Sequence, residues 1–534
     1  MRNNIRTIGL LTLGLSLIVP SVALAATDTN WTKSSELYEI RTWTGQSQWG
    51  HVDGPVKSAT LFHPRSIVEL PNGKLLVADT ENHMLREISV DAVTTYSGLF
   101  VGESESRTPI GAYNDDQLNL AAYNQPTGLT VDSLGNIYIA DSGNNAIRKI
   151  TKDGKVNTLA GNGSIGNKDA KGKEATFYSP SDIAVDSKGT VYVSDTLNHT
   201  IRKITPEGVV TTLTASSNRA IEYFPGAAEF AGDYADGAIA NAKFNEPSGL
   251  AVDGNDNLYV SDRGNQRIRY IDFTKGTVTT VAGGKSSDNG TSIYTKNSAY
   301  ALGDFLDGAA VESKFNAPEG LALTEDGSLI VADSLNHAIR IIQDGKVTTL
   351  TGIPVEFGVA DGLTNHAQFN HPTDVTVLKD GRLVIVDESG NKIRVLQKYA
   401  KPASMPSDKS ISVLLNGKIV SSDVPAQLKS NAVLLPVRSV GAALGYKVSF
   451  DKKTGAAILT KGETTYTIKS GANTVTKSVK GVKQTLTLNA PVAEVDKRVF
   501  IPVRFFANES GLDIQWDAEN QTVVIRNVVF NSGL

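Results

Sequence analysis

The sequence predicts a mainly β chain: a six-bladed β-propeller whose N-terminal strand closes the last blade, then a small α+β C-terminal domain of two similar repeats. Three observations support this prediction. A ten-residue motif recurs six times, the sixth copy lacks the strand that follows the others, and a different repeat begins beyond residue 410. Repetition at a fixed period is typical of propellers and solenoids.

The recurring motif is represented by VADSLNHAIR, residues 331–340. In all six copies an Arg follows an Asp by seven residues, and in five copies an Asn follows it by three. A Pro precedes each Asp by fifteen residues, and another Asp precedes each Pro by eleven. A single active site does not need six copies. We therefore expect Asp and Asn to hydrogen-bond the turn between two strands, and Arg to hold a carboxylate or carbonyl.

Each unit contains four short runs rich in β-branched residues, separated by Gly and Asn turns, which predicts a four-stranded antiparallel sheet. The fourth run follows the Arg in the first five units, but after Arg394 the chain continues into VLQKYAKPASMP. A matching run, EIRTWTG, stands at residues 39–45. We expect this N-terminal strand to complete the last blade, which leaves the ring without a free edge.

The shared Pro, Asp, Asn and Arg positions resemble the NHL repeat family, known for six-bladed propellers. The resemblance covers residues 38–398. It implies the fold and leaves the function open, because the same scaffold carries both enzymes and binding proteins.

A polar linker is predicted at residues 399–410, followed by a second domain at 411–528. Its two copies are VLLPVRSVGAALGYKVSFDKKTGAAIL (433–459) and VFIPVRFFANESGLDIQWDAENQTVVI (499–525), and each predicts a strand, a short helix and a hairpin. They resemble the copper amine oxidase N-terminal-like domain, a stalk domain common in secreted proteins of Gram-positive bacteria. Residues 401–534 contain no His, so we expect no copper site and a non-catalytic accessory role.

Residues 1–25 have the pattern of a secretory signal peptide: a basic start, an apolar run and the small residues Ala23-Leu24-Ala25. The expected location is secreted or attached to the cell envelope, with no transmembrane segment. The absence of Cys excludes disulfides. Removing residues 1–25 changes the net charge from −4 to −6, which argues against nucleic acid as the main partner.

Residues beside each Pro should ring one mouth of the central channel. Related lyases and lactonases hold Zn²⁺ or Ca²⁺ there, so two ligand sets stay open as an alternative. A zinc set would consist of His63, His371 and Asp374. A calcium set would consist of Asp182, Glu246 and Glu319. A solvated polar rim without a cofactor is the preferred interpretation, and the equivalent residues His83, His199 and His337 are expected to be exposed in turns.

Three long connections, at residues 98–115, 215–236 and 283–307, emerge on the same mouth. Long loops on one face of a rigid scaffold usually carry recognition. The candidate ligand-binding residues are Tyr223, Phe224, Tyr234, Tyr294, Tyr300, Glu246 and Glu319. The favoured function is a non-catalytic interaction protein that binds an extracellular or cell-wall ligand, whether carbohydrate, peptide or protein. The alternative is a metal-dependent lyase or lactone hydrolase with its site at the channel mouth.

Overall fold

The computed structural model describes residues 37–284, 292–399, 402, 405, 410–518 and 520–526. The predicted signal peptide, part of the predicted linker and the side chain of Tyr223 lie outside this set. None of the helices in the described ranges has the length and apolar character needed to cross a bilayer.

Six antiparallel sheets of four or five strands form the larger part of the described chain. Their innermost strands pack side by side in a closed ring, the sixth against the first. From inner to outer strand, the first sheet comprises Pro64–Glu69, Leu75–Asp79, Met84–Ile88, Ala92–Ser97 and Gly54–Pro55. The second comprises Pro126–Val131, Ile137–Asp141, Ala146–Ile150 and Val156–Gly161. The third comprises Pro180–Val185, Val191–Asp195, Thr200–Ile204 and Val210–Thr212.

The other three sheets repeat this order. The fourth comprises Pro247–Val252, Leu258–Asp262, Arg267–Asp272, Thr277–Ala282 and Gly237–Ala238. The fifth comprises Pro318–Leu323, Leu329–Asp333, Ala338–Gln343, Lys346–Thr351 and Gly308–Ala309. The sixth comprises Pro372–Val377, Leu383–Asp387, Lys392–Lys398, Tyr38–Thr44 and Gly362–Leu363. A separate hairpin pairs Ala220–Phe224 with Ala227–Phe230. The short 3-10 helices are Thr80–Asn82, Ser142–Asn144, Gly172–Glu174, Thr196–Asn198, Ile239–Asn241, Arg263–Asn265 and Ser334–Asn336. This arrangement confirms the predicted mainly β, propeller-type fold.

Burial explains the sequence of each sheet. The second strand, for example Leu329–Asp333, is buried along its whole length because neighbouring sheets cover both faces, so it reads as a continuous apolar run. In five of the six sheets an aromatic residue three positions before the Pro packs between sheets, and in the first sheet Leu61 takes this place. Phe315 is fully buried there, with the guanidinium carbon of Arg340 5.1 Å from its ring centre.

The repeated Asp, Asn and Arg residues tie each sheet together. Nη1 of Arg340 donates to Oδ2 of Asp333 at 2.7 Å, and Nη2 donates to Asp307. Nδ2 of Asn336 donates to the same Oδ2 of Asp333 at 2.8 Å, and Oδ1 accepts the backbone N–H of Asn316. The side chains of Arg340 and Asp333 are completely buried. The equivalent pairs are Arg86–Asp79, Arg148–Asp141, Arg202–Asp195, Arg269–Asp262 and Arg394–Asp387. The predicted architectural role of the motif is confirmed.

The N-terminal strand closes the last sheet. Tyr38–Thr44 pairs antiparallel with Lys392–Lys398, with Ile40 opposite Leu396. The carboxylate of Asp361 accepts hydrogen bonds from the backbone N–H and the hydroxyl of Thr42, across 319 positions of sequence. The predicted pairing of the N-terminal strand is confirmed.

The C-terminal domain packs two helices against three sheets. The helices are Val437–Ala443 and Arg504–Ser510, each directly after the predicted strand. The first sheet comprises Lys418–Ile419, Ser412–Leu415, Thr522–Arg526 and Asp513–Asp517. The second comprises Gln427–Lys429, Ala432–Pro436, Arg498–Pro502 and Ala493–Val495. The third comprises Lys447–Phe450, Ala457–Lys461, Thr464–Ile468, Thr474–Val479 and Val482–Thr487. Strands of the two copies pair with each other, and both helices contribute to one apolar core.

Candidate functional site

In each repeat, the residue four positions after the motif Asp links its sheet to the next one through a side-chain hydrogen bond, which we call the latch. His83, His199 and His337 adopt the left-handed conformation at the end of the 3-10 helix. Nδ1 of His199 accepts the backbone N–H of Glu246 at 3.0 Å, which stands just before the Pro of the next sheet. His83 and His337 make the same contact with Gln125 and His371, whereas Asn or Gln takes this position in the other copies.

The prediction that these histidines are exposed is wrong for all three, since His199 is half-buried. His83 and His337 are buried, because the next sheet covers the turn. Burial lowers the pKa of all three, and together with the nearby His371 it lowers the pKa of His337 to about 4. The neutral imidazole is the form that accepts the latch hydrogen bond.

A chain of ion pairs crosses the channel mouth. Arg65, on the first sheet, donates from Nη1 to Oε1 of Glu388 at 2.9 Å and from Nη2 to Glu319 on the fifth sheet. Arg263 donates from Nε to the other oxygen of Glu319 at 3.3 Å and from Nη1 to Glu246 at 2.9 Å. The structure thus places the predicted rim acids Glu246 and Glu319 at the mouth, joined by a guanidinium group. Each carboxylate has a cationic partner already.

The zinc alternative names His63, His371 and Asp374. His63 Nδ1 lies 3.6 Å from Glu388, and the pKa of His63 is raised chiefly by its interaction with that carboxylate. His371 Nδ1 lies 3.2 Å from the hydroxyl of Ser389, the residue that follows Glu388. No hydrogen bond or ring contact joins the two histidines within the described ranges, and Asp374 lies deeper in the channel. Among the residues that the structure describes, no three His, Cys, Asp or Glu side chains are grouped as metal ligands would be.

Two buried carboxyl groups narrow the channel below the mouth. Asp182 belongs to the third sheet and Asp374 to the sixth, and these two sheets face each other across the ring. Both residues line two cavities, one of about 30 Å³ and one of about 330 Å³, on either side of the pair. Oδ2 of Asp374 accepts the backbone N–H of Ile67 at 2.9 Å, and Oδ2 of Asp182 accepts that of Leu250 at 2.8 Å. Burial raises the pKa of Asp374 to about 7, and burial together with the charge of Asp374 raises the pKa of Asp182. Burial thus favours the protonated form of both carboxyl groups.

The two longest inserts are locked to each other by one arginine. Arg219, in the insert before the fourth sheet, donates from Nε to the carbonyl of Gly232 at 2.6 Å. Its Nη1 and Nη2 donate to the carbonyls of Ser298 and Ala299 in the other insert, at 2.6 and 2.7 Å. Its guanidinium carbon lies 3.6 Å from the ring centre of Tyr294. Sequence reasoning missed Arg219, because an arginine in a variable loop carries no repeat signal.

The predicted aromatic residues divide into two groups. Tyr234 and Tyr294 are half-buried and hold the inserts together. The hydroxyl of Tyr234 contacts Oγ1 of Thr280 at 2.8 Å, and Tyr294 donates to a motif Asn. Phe224 is 72% exposed at the hairpin, and Tyr300 is 45% exposed while its hydroxyl donates to Glu246. Phe230, on the same hairpin as Phe224, and Leu302, two residues after Tyr300, are 75% and 86% exposed. We call Phe224, Phe230, Tyr300 and Leu302 the insert surface.

Comparison with known families identifies both parts of the chain. Residues 123–150, 177–204, 244–269 and 315–342 match the family described as NHL repeat. Residues 414–525 match the family described as copper amine oxidase N-terminal domain. The chain contains NHL repeats followed by a copper amine oxidase N-terminal domain. Both resemblances drawn from the sequence are confirmed.

Several known proteins are similar to part of the chain. NHL repeat-containing protein 2 of Homo sapiens is 27% identical over 435 residues, which cover 76% of this chain and 57% of that protein. Protein SUPPRESSOR OF QUENCHING 1, chloroplastic, of Arabidopsis thaliana is 27% identical over 294 residues, 53% of this chain and 26% of that protein. The chain thus spans between about a quarter and somewhat over half of these relatives. Among solved structures, an auxiliary nutrient binding protein from Bacteroides thetaiotaomicron is 14% identical with a TM-score of 0.49, covering 68% of this chain and 77% of that one.

Proposed function

We propose that this chain is a secreted or cell-envelope interaction protein. Its six sheets are the six blades of a propeller that binds a protein or peptide ligand on the mouth face, and its C-terminal domain is a non-catalytic accessory module. Secretion rests on the signal-peptide pattern of residues 1–25. The observation that carries the binding function is the exposed insert surface.

The composition of the insert surface favours a protein partner over a carbohydrate ligand. Its four side chains are large and apolar or aromatic, and they are exposed on the two inserts that Arg219 joins. Exposed apolar patches mark interaction sites in soluble proteins. Carbohydrate ligands need convergent hydrogen-bonding groups in addition to an aromatic ring. Phe224, Phe230 and Leu302 offer none.

The inserts are also held in place before a ligand arrives. The three hydrogen bonds and the ring contact of Arg219 join both inserts, so little backbone conformational freedom remains to be lost on binding. Tyr300 connects the insert surface to Glu246, and through it to the ion pairs at the mouth. The ligand surface therefore combines an apolar platform with a charged neighbour that sets orientation.

The geometry supports this function over a metal-dependent lyase or lactone hydrolase. Glu246, Glu319 and Glu388, the acids at the mouth, are each bound to Arg65 or Arg263. A carboxylate that serves a guanidinium group has fewer lone pairs left for an ion or a proton transfer.

The experiment compares two double variants of the mature chain. Phe224→Ser with Phe230→Ser removes the exposed rings of the hairpin. Val90→Ser with Leu134→Ser removes equally exposed apolar side chains from turns on the opposite face. Retention is measured on an envelope fraction of the producing cell, with and without protease treatment of that fraction.

We expect the hairpin variant to melt like the parent and to lose retention, and the opposite-face variant to keep it. Protease treatment of the fraction should also abolish retention. Undiminished retention of a cooperatively melting hairpin variant would refute the insert surface as the site. Retention that survives protease would refute a protein ligand and indicate a polysaccharide.

A further inference from the structure

A cavity of about 380 Å³ lies where the C-terminal domain meets the propeller. His366 contributes from the chain segment beside the last sheet, and the C-terminal domain provides the other walls. Neither the insert surface nor the channel mouth shares a residue with it. Cavities at domain junctions are frequent small-molecule sites.

The junction that forms this cavity is well built. Oε1 of Gln515 accepts the backbone N–H of Leu363 at 2.7 Å, so the C-terminal domain covers the short edge strand of the last sheet. Nε2 of His366 lies 3.2 Å from the carbonyl oxygen of Trp516. Behind these contacts, Leu363 packs in an apolar cluster with residues of both domains. The walls are therefore fixed relative to each other.

The lining combines an apolar side with solvent-exposed polar groups. Trp516, Val433 and Ile514 form the apolar side. Arg504, Asn431 and Asn489 also line the cavity. Within the described ranges, the side chains of these three residues take part in no hydrogen bond or ion pair. One cation and two amides thus face a cavity that has an aromatic wall, and no carboxylate of a described residue lines it.

The internal repeat shows what the fold alone requires at these positions. Arg438 and Phe450 are the first-copy equivalents of Arg504 and Trp516, 66 positions earlier. The guanidinium carbon of Arg438 lies over the Phe450 ring at 5.1 Å, which satisfies the cation within the domain. In the second copy this contact is absent from the described structure, and both side chains line the cavity instead. Trp516 also packs against the apolar core of its own domain, whereas no hydrogen bond, ion pair or ring contact within the described ranges fixes the guanidinium group of Arg504.

We infer that this junction cavity binds a carboxylate-bearing sugar residue. Trp516 would pack on the apolar face of the sugar ring, and Arg504 would pair with the carboxylate. Asn431 and Asn489 would exchange hydrogen bonds with hydroxyl or acetamido groups. The volume suits one or two sugar units. This inference goes beyond the propeller's proposed ligand and does not depend on it.

The test is a calorimetric and saturation-transfer NMR titration of the mature chain with glucuronic acid, and with glucose as the neutral counterpart. Arg504→Gln removes the proposed carboxylate partner, and Arg438→Gln is the matched control in the other copy. We expect saturable binding of glucuronic acid, weaker binding of glucose, and about a tenfold loss of affinity in Arg504→Gln, since a charge-assisted hydrogen bond is removed. Arg438→Gln should bind like the parent.

Three results would overturn the inference: no saturable binding of glucuronic acid, equal binding of glucose, or unchanged affinity in Arg504→Gln. The variant with Phe224→Ser and Phe230→Ser separates the two proposals, because it removes the insert surface and leaves the junction cavity intact. Failure of one site therefore leaves the other testable.

Discussion

Replacing Arg526 by Met should destabilise the entire chain, because this side chain joins the two ends of the fold. Nη1 of Arg526 donates to Oε2 of Glu39 at 2.7 Å, and the two side chains are 4% and 3% exposed. Glu39 lies on the N-terminal strand that closes the ring, and Arg526 ends the last described strand of the C-terminal domain. The guanidinium carbon also lies 5.2 Å from the ring centre of Tyr399.

The expected magnitude follows from burial. Removing one partner of a buried ion pair leaves an uncompensated charge and costs about 3–5 kcal/mol. Arg41 and Gln397 still donate to the other oxygen of Glu39, at 2.7 and 3.1 Å, so we expect the lower end of this range. The control is the exposed pair of Arg498 with Asp423, for which Arg498→Met should cost less than about 1 kcal/mol.

The assay is denaturant unfolding of the mature chain for Arg526→Met, Glu39→Gln and the double variant. If Arg526 and Glu39 stabilise the fold as a pair, the double variant loses less unfolding free energy than the two single variants together, with a coupling energy of about 1–3 kcal/mol. The reasoning is refuted if Arg526→Met costs no more than Arg498→Met, or if the two single effects simply add.

Three further predictions concern the propeller. His337→Asn should keep the hydrogen bond to the next sheet, since Asn makes this bond in other copies. Between about pH 6.5 and 4 the unfolded parent takes up a proton that the folded imidazole does not bind, which costs the parent stability at about 1.4 kcal/mol per pKa unit. The variant should lack this loss of stability, which equilibrium unfolding at both pH values measures. Asp374→Asn should stabilise the chain more at pH 8 than at pH 4, because the raised pKa makes the parent less stable as the pH rises from about 4 to about 7; a flat difference in melting temperature across this range would contradict it. Gly320→Ala should cost about 1–3 kcal/mol in denaturant unfolding, because its Cβ would lie 2.5 Å from the Cα of Asp374, whereas Gly254→Ala meets no atom within 4 Å and should change little.

The repeats could be predicted because each depends on short-range patterns. The motif around Asp333 specifies a turn and a buried partner for Arg340 within ten residues, and it recurs at regular offsets. The missing outer strand was equally visible, because one unit lacked what five possessed. Such features are encoded locally and need no knowledge of distant contacts.

The candidate site was only partly predictable. The long connections and the rim acids Glu246 and Glu319 were found from spacing and position. Which aromatic side chains face solvent was not, because Tyr234 and Tyr294 turn inward to arginines of the inserts and the neighbouring sheet. The role of His337 was also missed, since its hydrogen-bond partner lies on the next sheet.

The sequence by itself determined the repeat, the closing strand, the domain order and the family resemblance of both parts. These features depend on hydrophobic periodicity and turn residues, which act over a few positions. The tertiary structure alone decided how charges and rings are shared between distant segments. Arg65 reaches Glu319 across 254 positions, and Arg526 reaches Glu39 across 487. The physical reason is that an ion pair or a ring contact depends on where two backbones meet, and no local pattern records that distance.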